Sequence, residues 1–139
     1  MLHPDYPVVQ GRHALTSEWS IDLPEQFNRR IDDGDLYIWR PGLTLILAVW
    51  GNEKSQSPAE CIEWLRSDTE PHAYDVMEER EGDLLRLSYR LHEDSDDDRM
   101  DALYAFVVGE NSHLQIAFYF DDESDLDVVW RILRSVECK

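Results

Sequence analysis

The stretch Phe27–Gly51, FNRRIDDGDLYIWRPGLTLILAVWG, decides the fold class. It holds three candidate strands divided by Asp33-Gly34 and Pro41-Gly42. A two-residue hairpin turn needs positive φ at both central residues, which Asp-Gly accepts. Pro-Gly suits a type II turn, with proline fixing the first central position and glycine taking positive φ at the second. Three strands joined by two tight turns make a β-meander. The last strand is apolar on both faces, with Leu43, Leu45, Leu47 and Val49 on one and Ile46, Ala48 and Trp50 on the other. It is therefore expected at the sheet centre, covered on each side.

Working outward, Trp19–Pro24 alternates Trp19, Ile21 and Leu23 with polar neighbours, as a half-buried strand does. Four further strands are expected around Ala73–Arg80, Leu84–His92, Ala102–Val108 and Leu114–Phe120, the last two central because both faces are apolar. Ser57, Pro58 and Glu60 form a capping box with proline at the first helical position, so a helix starts there, with Cys61, Ile62, Trp64 and Leu65 toward the sheet. Ser124 and Asp127 repeat the capping pattern ahead of the stripe Leu126, Val129, Trp130, Leu133 and Val136. Acids at the start of that segment and Arg131, Arg134 and Lys139 toward its end suit the helix dipole. The expected fold is thus α+β: a twisted antiparallel sheet of about six to seven strands with two packed helices, near residues 58–67 and 125–136. One domain is expected over residues 1–139, with residues 1–14 a loosely ordered N-terminal segment.

At 139 residues and 42% hydrophobic, the chain is large enough to bury its own core. The formal charge is −17, and residues 92–127 alone carry 12 acids against one base. Such a field repels phosphate backbones and anionic bilayers, which argues against nucleic acid and membrane as partners. Its complement is a protein with a basic surface, steered by charge; solubility alone is the plainer explanation. The N-terminal sequence MLHPDYPVVQGRH lacks the basic patch and apolar run of a signal peptide, so the expected location is cytoplasmic. Cys61 and Cys138 are too few for a disulfide framework and read as thiols.

The chemical motifs fail one by one. In His92–Asp98, HEDSDDD, a calcium loop begun at Asp94 places oxygens at Asp94, Asp96 and Asp98. It then meets Arg99 where glycine is needed and Ala105 where a bidentate glutamate is needed. The segment reads as a solvated loop, with a weaker non-EF cation site as the alternative. Histidines 3, 13, 72, 92 and 113 have no metal-binding spacing, and His92 and His113 read as half-exposed residues at strand ends. No serine has a nucleophile-elbow context, and no glycine-rich phosphate loop is present. No catalytic residue, cofactor or metal is expected. On the third strand, if Leu36 and Ile38 face the core, then Tyr37, Trp39 and Arg40 form a surface patch of residue types common in interface hot spots; otherwise the second helix covers them.

The early SIDLPEQF (Ser20–Phe27) and the closing YFDDESDLDVVWRILRSVE (Tyr119–Glu137), ending in Ile132, Leu133 and Ser135, resemble the PsbP-like and DcrB-like family over about residues 15–137. The resemblance implies a non-enzymatic binding scaffold, since that family includes photosystem assembly proteins, a nuclear-transport GTPase binder and bacterial chaperones for secreted effectors. The expected function is a small acidic protein-binding module of a bacterial cytoplasm: an adaptor, effector chaperone or immunity-type protein, monomeric or homodimeric. Its candidate contact residues are Tyr37, Trp39, Arg40, Asp94, Asp96, Asp97 and Asp98. The alternatives are a hydrolase using scattered carboxylates with His92 or His113, and a small-ligand binder in a cleft between helix and sheet.

Overall fold

The computed structural model describes residues 2–52, 55–69, 71–95 and 98–139, with the backbone alone at 93–95 and 98–100. The described strands are β1 (Val8–Ala14), β2 (Trp19–Asp32), β3 (Asp35–Arg40), β4 (Leu43–Gly51), β5 (Tyr74–Glu81), β6 (Leu84–Ser95), β7 (Asp98–Val108), β8 (Ser112–Phe120) and β9 (Glu137–Cys138). Helix α1 (Pro58–Ser67) follows β4, and α2 (Leu126–Arg134) follows β8. The strands join in the order β1-β2-β3-β4-β8-β7-β6-β5, with β9 beside β2. The class is α+β with an antiparallel sheet, and the described strands outnumber the six to seven expected. The surplus comes from two places the pattern hides. Residues 8–14, expected to be loose, pair with β2 although their exposed positions Val8, Gln10, Arg12 and Ala14 mix apolar and polar residues and show no clean alternation, and β9 is too short to show any period.

The chain divides into two compact units, residues 1–47 with 118–139, and residues 48–117. In the first, the two turns form as their residues dictate: Asp33 and Gly34 both take positive φ (53° and 84°), and Gly42 sits at 85°. Ile38, Leu43, Leu45 and Leu47 are buried, while Thr44 and Ile46 on the other face of β4 are only half-buried and Val49 and Trp50 are exposed. So β4 is central in strand order but sealed on one face only, contrary to expectation. Helix α2 packs Val129, Ile132 and Leu133 onto this unit's core of Trp19, Ile21, Leu23 and Phe27. Burying each such side chain is worth about 1.5–3 kcal/mol.

The start of α2 departs from the expected capping box. The Asp122 side chain accepts from Ser124 N (2.9 Å) and caps a 3-10 turn at Glu123–Asp125; the α-helix begins only at Leu126. Asp125 makes no cap because its carboxylate accepts from Arg40 Nη2 at 2.8 Å. An ion pair to a distant strand has replaced a local cap.

In the second unit, α1 starts as its sequence directs. Ser57 Oγ accepts from Glu60 N (3.2 Å), and Glu60 Oε1 accepts from Ser57 N (3.0 Å). Hydrogen bonding from the Ser57 backbone amide, and after it from the Ser57 hydroxyl, holds the Glu60 carboxyl below its ordinary range. Cys61, Ile62 and Leu65 pack on Leu87, Tyr89, Phe106 and Val108 of β6 and β7. Residues 92–95 and 98–101, expected within an open loop, are instead paired strand. His92 pairs with Asp101, Asp94 with Arg99 and Ser95 with Asp98 along the backbone. Strand pairing continues past the last apolar residue because backbone hydrogen bonds do not require apolar side chains. Asp96 and Asp97 lie outside the described residues, and the cation-site alternative falls on the same segment.

Candidate functional site

Three separate segments of the second unit enclose a cleft of about 520 Å³ between α1 and the sheet. The aromatic part of its wall is Trp50, Trp64, Tyr89, Tyr104 and Phe106. Strand alternation explains the sheet side: Tyr89 lies opposite Tyr104 in the β6–β7 register, and Leu87 opposite Phe106, so one face of the hairpin presents only apolar and aromatic groups to α1. The Tyr89 and Tyr104 rings stack at 5.7 Å and 24°. A cleft of this size with mostly aromatic walls is the ordinary form of a ligand or side-chain pocket.

The rim is held by polar contacts. Trp50 Nε1 donates to Gln115 Oε1 at 3.2 Å, which fixes the indole across the mouth. Asn52 closes the connection into α1, its Nδ2 donating to Gln56 O (2.7 Å) and its Oδ1 accepting from Gln56 N (2.9 Å). The Asn52 backbone N–H also donates to Asn111 O at 3.1 Å. Trp50 and Trp64 remain 54% and 44% exposed. Trp64 was expected against the sheet; it stands at the edge of the apolar stripe of α1, and its ring reaches the rim instead.

Inside, His113 is buried rather than half-exposed, because odd positions of β8 face α1 here. Its ring lies 6.4 Å from Phe106, and its Nδ1 is 3.9 Å from Cys61 Sγ. Burial pushes the Cys61 thiol up and the His113 imidazole down, so both sit in their neutral forms at pH 7. A nucleophilic cysteine needs the reverse, a thiolate stabilised by a charged neighbour. The pair therefore supplies a neutral, weakly polar floor. His92 is elsewhere, exposed, with Asp101 Oδ1 at 2.5 Å from Nδ1 and the Tyr74 hydroxyl at 3.0 Å from Nε2. Among the described residues, neither histidine meets two buried carboxylates, and no group of three His, Cys, Asp or Glu side chains is placed to hold a metal ion.

The aromatic strand of the first unit has a different fate. Tyr37 and Trp39 do face away from buried Ile38, but they are half-buried under other groups than α2. The Arg30 guanidinium lies 5.2 Å and 5.6 Å above their rings, and Tyr6 meets Trp39 edge-on at 5.2 Å. Fully buried Asn28 ties this N-terminal segment down, accepting from His3 N (2.7 Å) and donating to His3 O (3.0 Å). Arg40 is on the opposite face, the face of Ile38, and is paired with Glu25 and Asp125, so it does not share a surface with Tyr37 and Trp39. Burial alone would lower the Arg40 pKa, but the contacts with Asp125 and Glu25 together outweigh it and the pKa is raised. The side chains of Asp94 and Asp98 are not described, and Asp96 and Asp97 lie outside the described residues.

No protein-family model matches the chain, and no curated protein does. Among solved structures the chain is similar to a protein of Bacteroides thetaiotaomicron VPI-5482 known from a crystal structure at 1.50 Å resolution. The TM-score is 0.69 at 11% identity, over 94% of this chain and 49% of that one. The chain thus spans about half the length of that neighbour, and at this identity the likeness is one of fold alone. Among the described residues no helix is long and apolar enough to cross a membrane.

Proposed function

We propose that this chain is a small acidic protein-binding module whose contact point is the cleft under α1, not the aromatic strand β3. The observation that carries this reading is the pair of exposed indoles, Trp50 and Trp64, at the mouth of an aromatic cleft. A metabolite enclosed by the cleft gains little from aromatic surface left outside it. A partner protein gains much, because tryptophans at the edge of a dry pocket supply contact area and exclude water around an anchor side chain. The neutral Cys61–His113 floor supports binding over nucleophilic chemistry. The resemblance to the PsbP-like and DcrB-like scaffolds agrees with an adaptor or effector chaperone of a bacterial cytoplasm, and the strong negative charge agrees with a basic partner.

Co-purification from the native host tests this with two double variants. Trp50→Ala/Trp64→Ala should lose the partner that the natural chain retains, and Tyr37→Ala/Trp39→Ala should keep it. Loss in the second variant with retention in the first moves the contact to β3. A small molecule released from the natural chain in native mass spectrometry, with no protein partner, favours the ligand-binding alternative.

A further inference from the structure

The cleft has a charge character as well as a shape. Among its described lining residues there is no lysine or arginine, and the one carboxylate is Asp68. His113, the remaining ionisable base there, is kept neutral by burial. Among these described residues an anionic guest finds no charge complement. Five aromatic rings, whose faces carry the negative part of the ring quadrupole, leave a cation as the charged group best matched to it.

Asp68 sharpens this. It is the C-terminal cap of α1, with its amide donating to Trp64 O and Leu65 O at 3.2 Å. The C-terminus is the negative end of the helix dipole, where a carboxylate is unfavourable to the helix itself. A residue that breaks a local rule beside a pocket points to a use for its charge. Asp68 and the face of the Trp64 ring together form a negative edge on the cleft, beside the exposed part of its rim.

We infer that the cleft takes an arginine side chain from a basic segment of the partner, its guanidinium plane stacked on a rim indole and its charge facing Asp68. This rests on the protein-binding reading above and names the anchor. Arginine fits better than lysine on physical grounds. Its planar, weakly hydrated guanidinium stacks on aromatic faces and forks onto a carboxylate, while its apolar stem lies along surfaces such as Leu65 and Val108. The lysine ammonium is a compact, strongly hydrated charge that gives up more water on entering the same site.

A peptide array separates this inference from the reading beneath it. Each residue type, with citrulline added as the neutral isostere of arginine, stands in turn at one position of a glycine-alanine-leucine frame. Fluorescently labelled protein is applied at about 0.15 M salt, where long-range attraction is largely screened. Arginine peptides should bind about tenfold more strongly than citrulline peptides and several-fold more strongly than lysine peptides, consistent with one desolvated cation–aromatic contact. Asp68→Asn should erase much of the arginine preference, and Trp64→Ala should abolish binding. If citrulline binds as well as arginine and Trp64→Ala still abolishes binding, the cleft holds peptides without reading charge; the inference falls and the protein-binding reading stands. If arginine and lysine bind equally and Trp64→Ala binds like the natural chain, the attraction is bulk charge and the inference falls. If no peptide binds, the inference and the reading fall together.

Discussion

The two helices do different work on similar foundations. Each lies beside strands in its own unit, yet α2 seals its face and α1 does not. Val129, Ile132 and Leu133 of α2 are 0% exposed, whereas Cys61, Ile62 and Leu65 of α1 keep 8%, 6% and 6%. At Cys61 and Leu65 the cleft reaches the core. The apolar stripe of α2 is continuous through the packed side, while α1 interrupts its stripe with a cysteine and sends its tryptophan to the rim. The strands beneath α1 bring large rings, Tyr89, Tyr104 and Phe106, which stand off the helix and leave space between them. Helices of similar length thus give a closed core or a pocket according to which residues fill the interface.

The largest effect expected from this difference is in core truncation. Ile132→Ala opens a cavity in a sealed core and should cost about 3–4 kcal/mol by chemical denaturation. Leu65→Ala enlarges space that already exists and should cost about 2 kcal/mol. If Leu65→Ala proves as costly as Ile132→Ala, the cleft is closed in solution.

Next comes the start of α1, which depends on a local cap where α2 depends on a 3-10 turn and an ion pair. Ser57→Ala removes the acceptor for the Glu60 amide and should cost about 1 kcal/mol, whereas Ser124→Ala, whose side chain caps no helix, should cost a few tenths. Equal losses in thermal melts would make the caps equivalent.

A pH dependence tests the buried floor of the cleft. Burial lowers the His113 pKa from its ordinary value of 6.5, so the unfolded chain takes up that proton first as pH falls. The stability contributed by neutral His113 is therefore intact above about pH 6.5 and is lost as pH drops below it toward the folded value. His113→Gln should flatten the decline in urea midpoint between about pH 7 and 5. His13 titrates in the same direction, lowered by burial and then by Arg29, so a residual slope is expected. An unchanged slope would mean that water reaches His113.

The smallest expected effect on stability is the most informative about function. Trp64→Ala removes a ring that is 44% exposed and should change stability by no more than about 0.5 kcal/mol while removing partner binding. Trp19, buried in the sealed core, offers the contrast: Trp19→Ala should cost several kcal/mol, about 3–5. A large loss from Trp64→Ala would reassign that ring to structure.

Much of the architecture is decided by short-range chemistry, and the sequence alone determined it. Asp33-Gly34, Pro41-Gly42 and the Ser57–Glu60 box act over a few residues, so their turns and helix start are written locally. The strands β6 to β8 follow from their runs of strand-forming residues bounded by turns, and much of the stripe of α2 from helical spacing. Tertiary structure alone decided the rest, because it depends on residues far apart in the chain. Arg40 reaches Asp125 across 85 positions and takes the place of a helix cap. The cleft assembles Trp50, Trp64, Tyr89, Phe106 and His113 from five elements, and no local pattern announces that a tryptophan will stand at a rim or a histidine beneath it. Periodicity tells which face of an element turns inward; only the volumes that meet there decide whether the space is filled.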